Sequence, residues 1–396
     1  MENYKKFKTK AIHVHVENLK EASPLNLPIY QTSTFNLKNF ENIEETFTLK
    51  KRGYVYTRGG NPSVNNLEKK LASLENAVDG VCFSSGMGAI SSVLFSLLKN
   101  GDCIVAHDTL YGSTYSFIAS FLTKYGIKSF FTNFTDLVEL EKIVELERPK
   151  VLYFETPSNP LLESIDIENV VKIAKKYNAK VVVDNTFLTP YFQNPLDFGA
   201  DVVIHSLTKY INGHGDALGG FACSKDQEYI DYLKFAIMCE IGAPLDPNSA
   251  FLISRGLKTL AIRMEEHQKS AIKIANYLIK QKKIKKVYYP SLEDYQYKKI
   301  IEKQSRGYGA IVSFEIDGDL NKTKKFIESL NLLTLAVSLG DCETLVEHPL
   351  LMTHRSYLSK PESDVYKKLE NLVRISVGLE DVEDIIEDIE QALDKI

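Results

Sequence analysis

From about residue 64 onward, short apolar runs alternate with amphipathic stretches. VCFSS precedes AISSVLFSLL, CIVAH precedes STYSFIASFL, KVLYFE precedes ENVVKIAKKY, and KVVVDN and DVVIHS follow. Runs this short, rich in β-branched residues and each followed by a helix-period segment, predict a mostly parallel sheet with helices on both faces. Residues 248–283 keep helical spacing with few breakers and lead out of that unit. Beyond them GAIVSFEIDGD, LTLAVSLG and VRISVGLE are separated by NKTKKFIESL and EDVEDIIEDIEQAL, which predicts a smaller α+β domain ending in a helix. The Lys-rich QKKIKKVYY reads as a solvated helix end. The first 60 or so residues have turn signals, SPLNLP (23–28) and RGGNPS (58–63), but little apolar periodicity, so an extended arm without its own core is expected. The expected organisation is an arm over 1–60, an α/β domain over 61–255 and an α+β domain over 256–396.

Composition narrows the classes. A length of 396 residues favours two domains over one core. The 48 basic and 52 acidic residues leave a net charge of −4, with the signs interspersed, which disfavours nucleic acid or an anionic membrane as partner. No window approaches the ~18 apolar residues of a membrane span. The start lacks the apolar stretch of a secretory signal. Cys82, Cys103, Cys223, Cys239 and Cys342 are scattered and form no CxxC pair. They point away from a disulfide framework or structural zinc, and toward the cytoplasm.

Asp184 and Lys209 carry the most chemical information. Asp184 ends the run KVVV, and Lys209 lies 25 residues on, in HSLTKY, after the next strand-like run. Strand ends in an α/β sheet open into the ligand crevice, so both side chains can converge on one small molecule. A lysine there can form a Schiff base and a carboxylate can hold a pyridine nitrogen protonated, which is what pyridoxal phosphate needs. SSGMGA (84–89), between a strand-like run and a helix, offers backbone N–H groups and a helix dipole to a phosphate. Ser206 and Thr208 add hydroxyls, and Tyr111, in DTLYGST, can lie on a pyridine ring. Alone, Asp184 also reads as a helix cap and Lys209 as a surface lysine. Their order in one chain with SSGMGA carries the inference.

Other classes fit less well. GMGAIS after a strand, with Asp108 20 residues beyond Gly88, suggests a dinucleotide-dependent oxidoreductase, but the third glycine of GxGxxG is Ser91. His13 and His15 form HVH, and His205 and His214 flank Lys209, yet no HExxH-type spacing supports a metal, and none is expected. A non-catalytic binding protein does not account for Asp184 and Lys209 in this order.

With TKAIH, PIYQTSTF, YTRGGNP, SSGMGAI, TLYGST, ETPSNP, VVDNTF, HSLTKYINGHGD, RGLKTL, SLGDCETL and VRISVGLE in order, the chain resembles the PLP-dependent trans-sulfuration family. That group comprises cystathionine synthases and lyases, methionine γ-lyases and O-acylhomoserine sulfhydrylases. The resemblance implies PLP fold type I, like aspartate aminotransferase, with a large mostly parallel α/β domain, a smaller α+β domain and an N-terminal arm. It implies that Lys209 holds the cofactor and moves protons, that Asp184 pairs with the ring nitrogen, and that Tyr111 stacks on the ring as an acid/base. Ser85, Gly86, Met87, Ser206 and Thr208 would surround the phosphate. Tyr56 and Arg58 match residues that reach a neighbouring subunit's phosphate, which implies a homotetramer of catalytic dimers. Arg374 matches the arginine that binds a substrate carboxylate, helped by Asn159 and Ser338. A planar guanidinium suits that task.

The resemblance also bears on substrate. Val337 occupies a place where cystathionine-processing relatives carry glutamate, so an apolar residue favours methionine or homocysteine. The stretch SLGDCETLVEHPLLMTHRSY is most like methionine γ-lyases, whereas sulfhydrylases tend to have a lysine-serine pair at Glu343-Thr344. Against this, Ser113 stands where those lyases carry cysteine, and Met238 and Cys239 stand where they carry a lysine-aspartate pair. The expectation is γ-elimination from methionine or homocysteine to 2-oxobutanoate, ammonia and a thiol. O-acetylhomoserine sulfhydrylase and cystathionine γ-synthase or γ-lyase activity are the nearest alternatives.

Overall fold

The computed structural model describes residues 5–13, 24–47, 53–359, 362 and 364–396. A seven-stranded sheet is built from β1 (Asp79–Phe83), β2 (Cys103–His107), β3 (Lys128–Thr132), β4 (Val151–Glu155), β5 (Lys180–Asp184), β6 (Val202–Ser206) and β7 (Gly220–Ser224). The order is β1-β7-β6-β5-β4-β2-β3, parallel except that β7 runs antiparallel to both β1 and β6. β1, β2, β4 and β7 are buried along their whole length, as strands covered on both faces must be. One face packs around Val93, Ile104 and Ile204, the other around Val105, Leu152 and Val183.

A second sheet contains β8 (Ile284–Tyr288), β9 (Ile311–Ile316), β10 (Thr334–Leu335), β11 (Leu345–Glu347) and β12 (Leu372–Ser376), in the order β10-β11-β12-β9-β8. Five helices matter below: α1 (Pro62–Leu74), α2 (Gly86–Leu97), α3 (Pro247–Leu257), α4 (Leu260–Leu278) and α5 (Val382–Asp394). Asn61 caps α1 by accepting from the Ser63 amide, and Pro62 fits the first turn, where its missing N–H costs nothing.

Several elements differ from the sequence expectation. QKKIKKVYY contains the edge strand β8 rather than a helix end. An edge strand tolerates lysines because they face water and discourage pairing with another chain, so Lys285 and Lys286 stay exposed. The 248–283 stretch is two helices, interrupted at Lys258 and Thr259, where bonds to the carbonyls of Arg255 and Gly256 replace the helical ladder. The arm holds two short helices, Phe7–Ile12 and Phe40–Phe47, the second with no buried residue. His15 and the beginning of SPLNLP lie outside the described residues. None of the described helices is long and apolar enough to cross a membrane.

Candidate active site

The C-terminal ends of β4, β5 and β6 open into a cavity of about 370 Å3. Asp184 ends β5, Ser206 ends β6, and Thr208 and Lys209 follow in the next turn. Ser85, Gly86 and Met87 enter from the start of α2. Arg374 comes from β12 of the second sheet and Val337 and Ser338 from the stretch that follows β10, so the cavity lies between the two sheets.

Each polar group is placed by local chemistry. Ser85 caps α2 through the Gly88 amide at 3.0 Å, which leaves the first-turn amides of Gly86 and Met87 open to an anion. Gly220 lets β7 pass beneath this loop, because a Cβ there would stand 2.0 Å from the Ser85 carbonyl oxygen. The Thr208 hydroxyl is engaged with the backbone of Gly219, and the Ser206 amide donates to Thr186 Oγ1 at 2.9 Å. Thr186 in turn donates its amide to Asp184 Oδ1 at 3.0 Å.

Asp184 is a partly buried carboxylate with no paired lysine or arginine among the described residues. Burial raises its pKa above the usual carboxylate range, against the opposing pull of the Thr186 hydrogen bonds and of His205. Glu155 pairs with Asp184 across β4 and β5, and burial followed by the Asp184 charge pushes it well up. Its Oε1 accepts the Tyr111 amide at 2.9 Å, fixing that loop. Gly112 allows the same loop to touch the second sheet's side, since a Cβ would stand 2.0 Å from the Thr353 carbonyl oxygen.

Lys209 Nζ donates to Ser338 Oγ at 2.7 Å. Burial and then the Arg374 guanidinium lower Lys209 from 10.5 to about 8, so a neutral amine is within reach near neutral pH. Arg374 is 3% exposed. It donates to Asn159 Oδ1 at 3.1 Å and to the Ser338 carbonyl at 2.7 Å, and pairs with Glu347 at 2.9 Å. Its Nε has no hydrogen-bond partner among the described residues, leaving a donor for a ligand carboxylate. Ser338 bridges the two cations, and its φ of 98° is a conformation that a residue with a side chain adopts only at a cost of roughly 1–3 kcal/mol.

The cavity therefore gathers Ser85, Gly86, Met87, Tyr111, Asn159, Asp184, Ser206, Thr208, Lys209, Ser338 and Arg374. Tyr56, Arg58 and Ser113 do not line it. Tyr56 is half-exposed with the Arg58 guanidinium 5.7 Å from its ring, and Ser113 faces outward. Cys239 lies beside Arg58, 3.9 Å from its carbonyl oxygen, and Met238 is buried. Glu155, Thr186 and Thr353 were missed by sequence reasoning. For Glu155 a signal existed: KVLYFE, like KVVVD, is an apolar run that ends in a carboxylate, and the register that pairs Val151 with Lys180 puts Glu155 opposite Asp184.

These groups fit a phosphorylated pyridine aldehyde. Open amides would meet the phosphate, Asp184 would meet a protonated ring nitrogen that relieves its burial, and Lys209 would meet the aldehyde. The comparisons with known proteins agree. The family model described as "Cys/Met metabolism PLP-dependent enzyme" matches residues 8–394. L-methionine gamma-lyase of Fusobacterium nucleatum subsp. nucleatum is 46% identical over 386 residues, covering 97% of each chain. Cystathionine beta-lyase of Lactococcus lactis subsp. cremoris is 42% identical, covering 98% of this chain and 99% of the relative. The solved structure of cystathionine gamma synthase from Xanthomonas oryzae pv. oryzae in complex with cystathionine superposes with a TM-score of 0.92 at 36% identity, covering 99% of both chains. With the family model spanning nearly the whole chain and the cavity providing each group the cofactor needs, the chain belongs to the PLP-dependent enzymes of Cys/Met metabolism.

Proposed function

We propose that the chain catalyses γ-elimination on a small sulfur amino acid, L-methionine or L-homocysteine, consuming water and releasing a thiol, ammonia and 2-oxobutanoate. The observation that carries this is the meeting of Lys209, Asp184 and Arg374 around one cavity whose wall includes the apolar Val337. Relatives named L-methionine gamma-lyase at 44–46% identity support it.

When bound, pyridoxal phosphate supplies an aldehyde for the substrate amine and a protonated ring that takes up an electron pair from Cα. The residues do the rest. Ser85, Gly86, Met87, Ser206 and Thr208 hold the phosphate, and Asp184 keeps the ring nitrogen protonated. Arg374, with Asn159 and Ser338, binds the substrate α-carboxylate and so orients the Cα–H bond toward Lys209. Lys209, once free, removes the Cα proton, a role suited to an amine held at about 8. Tyr111, tied through its amide to Glu155, covers the ring and donates a proton to the leaving sulfur. Tyr56 and Arg58 complete the phosphate site of a second copy, which makes 1–60 an inter-subunit arm. The assembly is a homotetramer of such dimers in the cytoplasm, with 61–255 as the cofactor domain and 256–396 as the smaller one. Ser113, on the solvent side of the Tyr111 loop, tunes substrate preference.

The test is a product assay with methionine, homocysteine, cystathionine and O-acetylhomoserine, the last with and without sulfide. Thiol and 2-oxobutanoate from methionine support the proposal. Failure on methionine with rapid sulfide-dependent homocysteine formation overturns it in favour of O-acetylhomoserine sulfhydrylation. A second reading, cystathionine cleavage or synthesis, is favoured by Ser113, Met238 and Cys239 and by the cystathionine beta-lyase relative. Preference for cystathionine over methionine in the same assay would select it.

A further inference from the structure

We propose that the cleft between α1 and α3 binds a small oxyanion of the phosphate or sulfate class. This cleft shares no lining residue with the catalytic cavity. It encloses about 200 Å3 and is lined by Ser63 and Asn66 from α1, Ser254 and Arg255 from α3, Lys258 just beyond, and Asn26 from the arm. That volume is below the ~300 Å3 of the smallest pockets for drug-sized ligands, so a single anion with its waters fits and a nucleotide does not. No carboxylate lines the cleft among the described residues.

The charge there is one-sided. The arm passes over the start of α1, where the Tyr30 amide donates to the Ser63 hydroxyl and that hydroxyl donates to the Pro28 carbonyl. Lys258 Nζ donates to the neutral amide oxygen of Asn26, which leaves its charge uncompensated. The Arg255 guanidinium has no hydrogen bond or ion pair among the described residues. Lys70 follows Ser63 and Asn66 at i+7 and i+4, on the same face of α1. It is 5% exposed, and its ammonium has no hydrogen-bond partner among the described residues.

A buried ammonium without a partner is costly, and Lys234 of this chain avoids that state. Lys234, also buried, bonds Glu68, whose charge outweighs the burial and raises the lysine above its usual value. Lys70 has no such carboxylate among the described residues, and burial followed by repulsion from Lys258 lowers it to about 8. Lys70 lies one turn beyond the lining residue Asn66 on the same face of α1, which puts it next to the cleft. An oxyanion seated there accepts from Arg255 and Lys258, finds further donors in Asn66 and Ser254, and offsets the Lys70 charge.

Isothermal titration of inorganic phosphate into the holoenzyme in chloride buffer tests this, because the cofactor then fills its own phosphate site. The expected result is saturable binding of about one phosphate per chain, weakened at least ~tenfold in Lys70→Met and in Arg255→Gln, both with parental turnover. Absence of saturable binding to the parent, or undiminished binding to both variants, overturns the proposal. If Lys70→Met fails to fold, Arg255→Gln, at an exposed position, decides between these outcomes alone. If the variants instead change only the protein-concentration dependence of subunit association, the cations serve a carboxylate of a second copy and the free-oxyanion site falls.

Discussion

Lys70 is buried and Lys209 partly so, and both are lowered to about 8 for the same two reasons, desolvation first and a neighbouring cation second. For Lys209 that cation is Arg374, and for Lys70 it is Lys258. Yet only Lys209 has an acceptor, Ser338 Oγ, and only Lys209 shares its cavity with carboxylates, Asp184 and Glu155. A lowered pKa therefore does not distinguish the lysine proposed as catalytic from the one proposed to await a counter-ion. The groups that converge beside it do.

The largest expected effect separates the two directly. Lys209→Ala should reduce turnover by at least ~10³-fold, while Lys70→Ala leaves kcat within a few-fold of the parent. A steady-state assay in which both variants fall equally would erase the distinction. Arg374→Lys comes next. It keeps the charge beside Lys209 but loses the planar fork, so kcat/KM should drop by ~10²-fold, carried mostly by KM. A fall confined to kcat would argue that Arg374 positions Lys209 rather than the substrate.

The third effect is on stability. The folded pKa of Lys70 is depressed from 10.5 to about 8. Below about 8 both folded and unfolded states carry the proton and the native state bears the full cost. Between there and 10.5 the native state sheds the proton while the unfolded chain keeps it, so the penalty shrinks as pH rises and is gone once the unfolded chain also titrates. In oxyanion-free buffer, Lys70→Met should flatten that pH dependence and stabilise the protein by up to about 3 kcal/mol at neutral pH, read from denaturant unfolding. A pH dependence identical to the parent's would mean that Lys70 is compensated after all. The smallest effect is expected at Ser338. Ser338→Ala removes the acceptor that favours the Lys209 ammonium, so the basic amine's apparent pKa in the kcat profile should move further down, by less than about one unit. An upward shift would contradict the observed hydrogen bond's role.

Much of the catalytic half was legible beforehand because its signals are local. β1, β2, β4, β5 and β6 are short apolar runs, most of them rich in β-branched residues, and the loop SSGMGA sits between a strand and α2 as the pattern requires. β3 and β7 were not legible. KSFFT is half-exposed at the sheet edge, and GFACS is too poor in β-branched residues to read as a strand. QKKIKKVYY misled because a run of lysines is compatible with a helix end and with an edge strand alike, and only pairing with β9 decides.

By itself the sequence determined the order of chemical groups: a phosphate-binding turn, a tyrosine, a carboxylate, a lysine and an arginine, each carried by its own local motif. What only the tertiary structure decided is what those groups meet. Register across β4 and β5 put Glu155 beside Asp184, and the joining of the two sheets put Ser338 between Lys209 and Arg374. The packing of α1 against α3 left Lys70 with no counter-charge among the described residues. Electrostatic environment depends on contacts between residues tens to hundreds of positions apart, and no local pattern encodes such a distance.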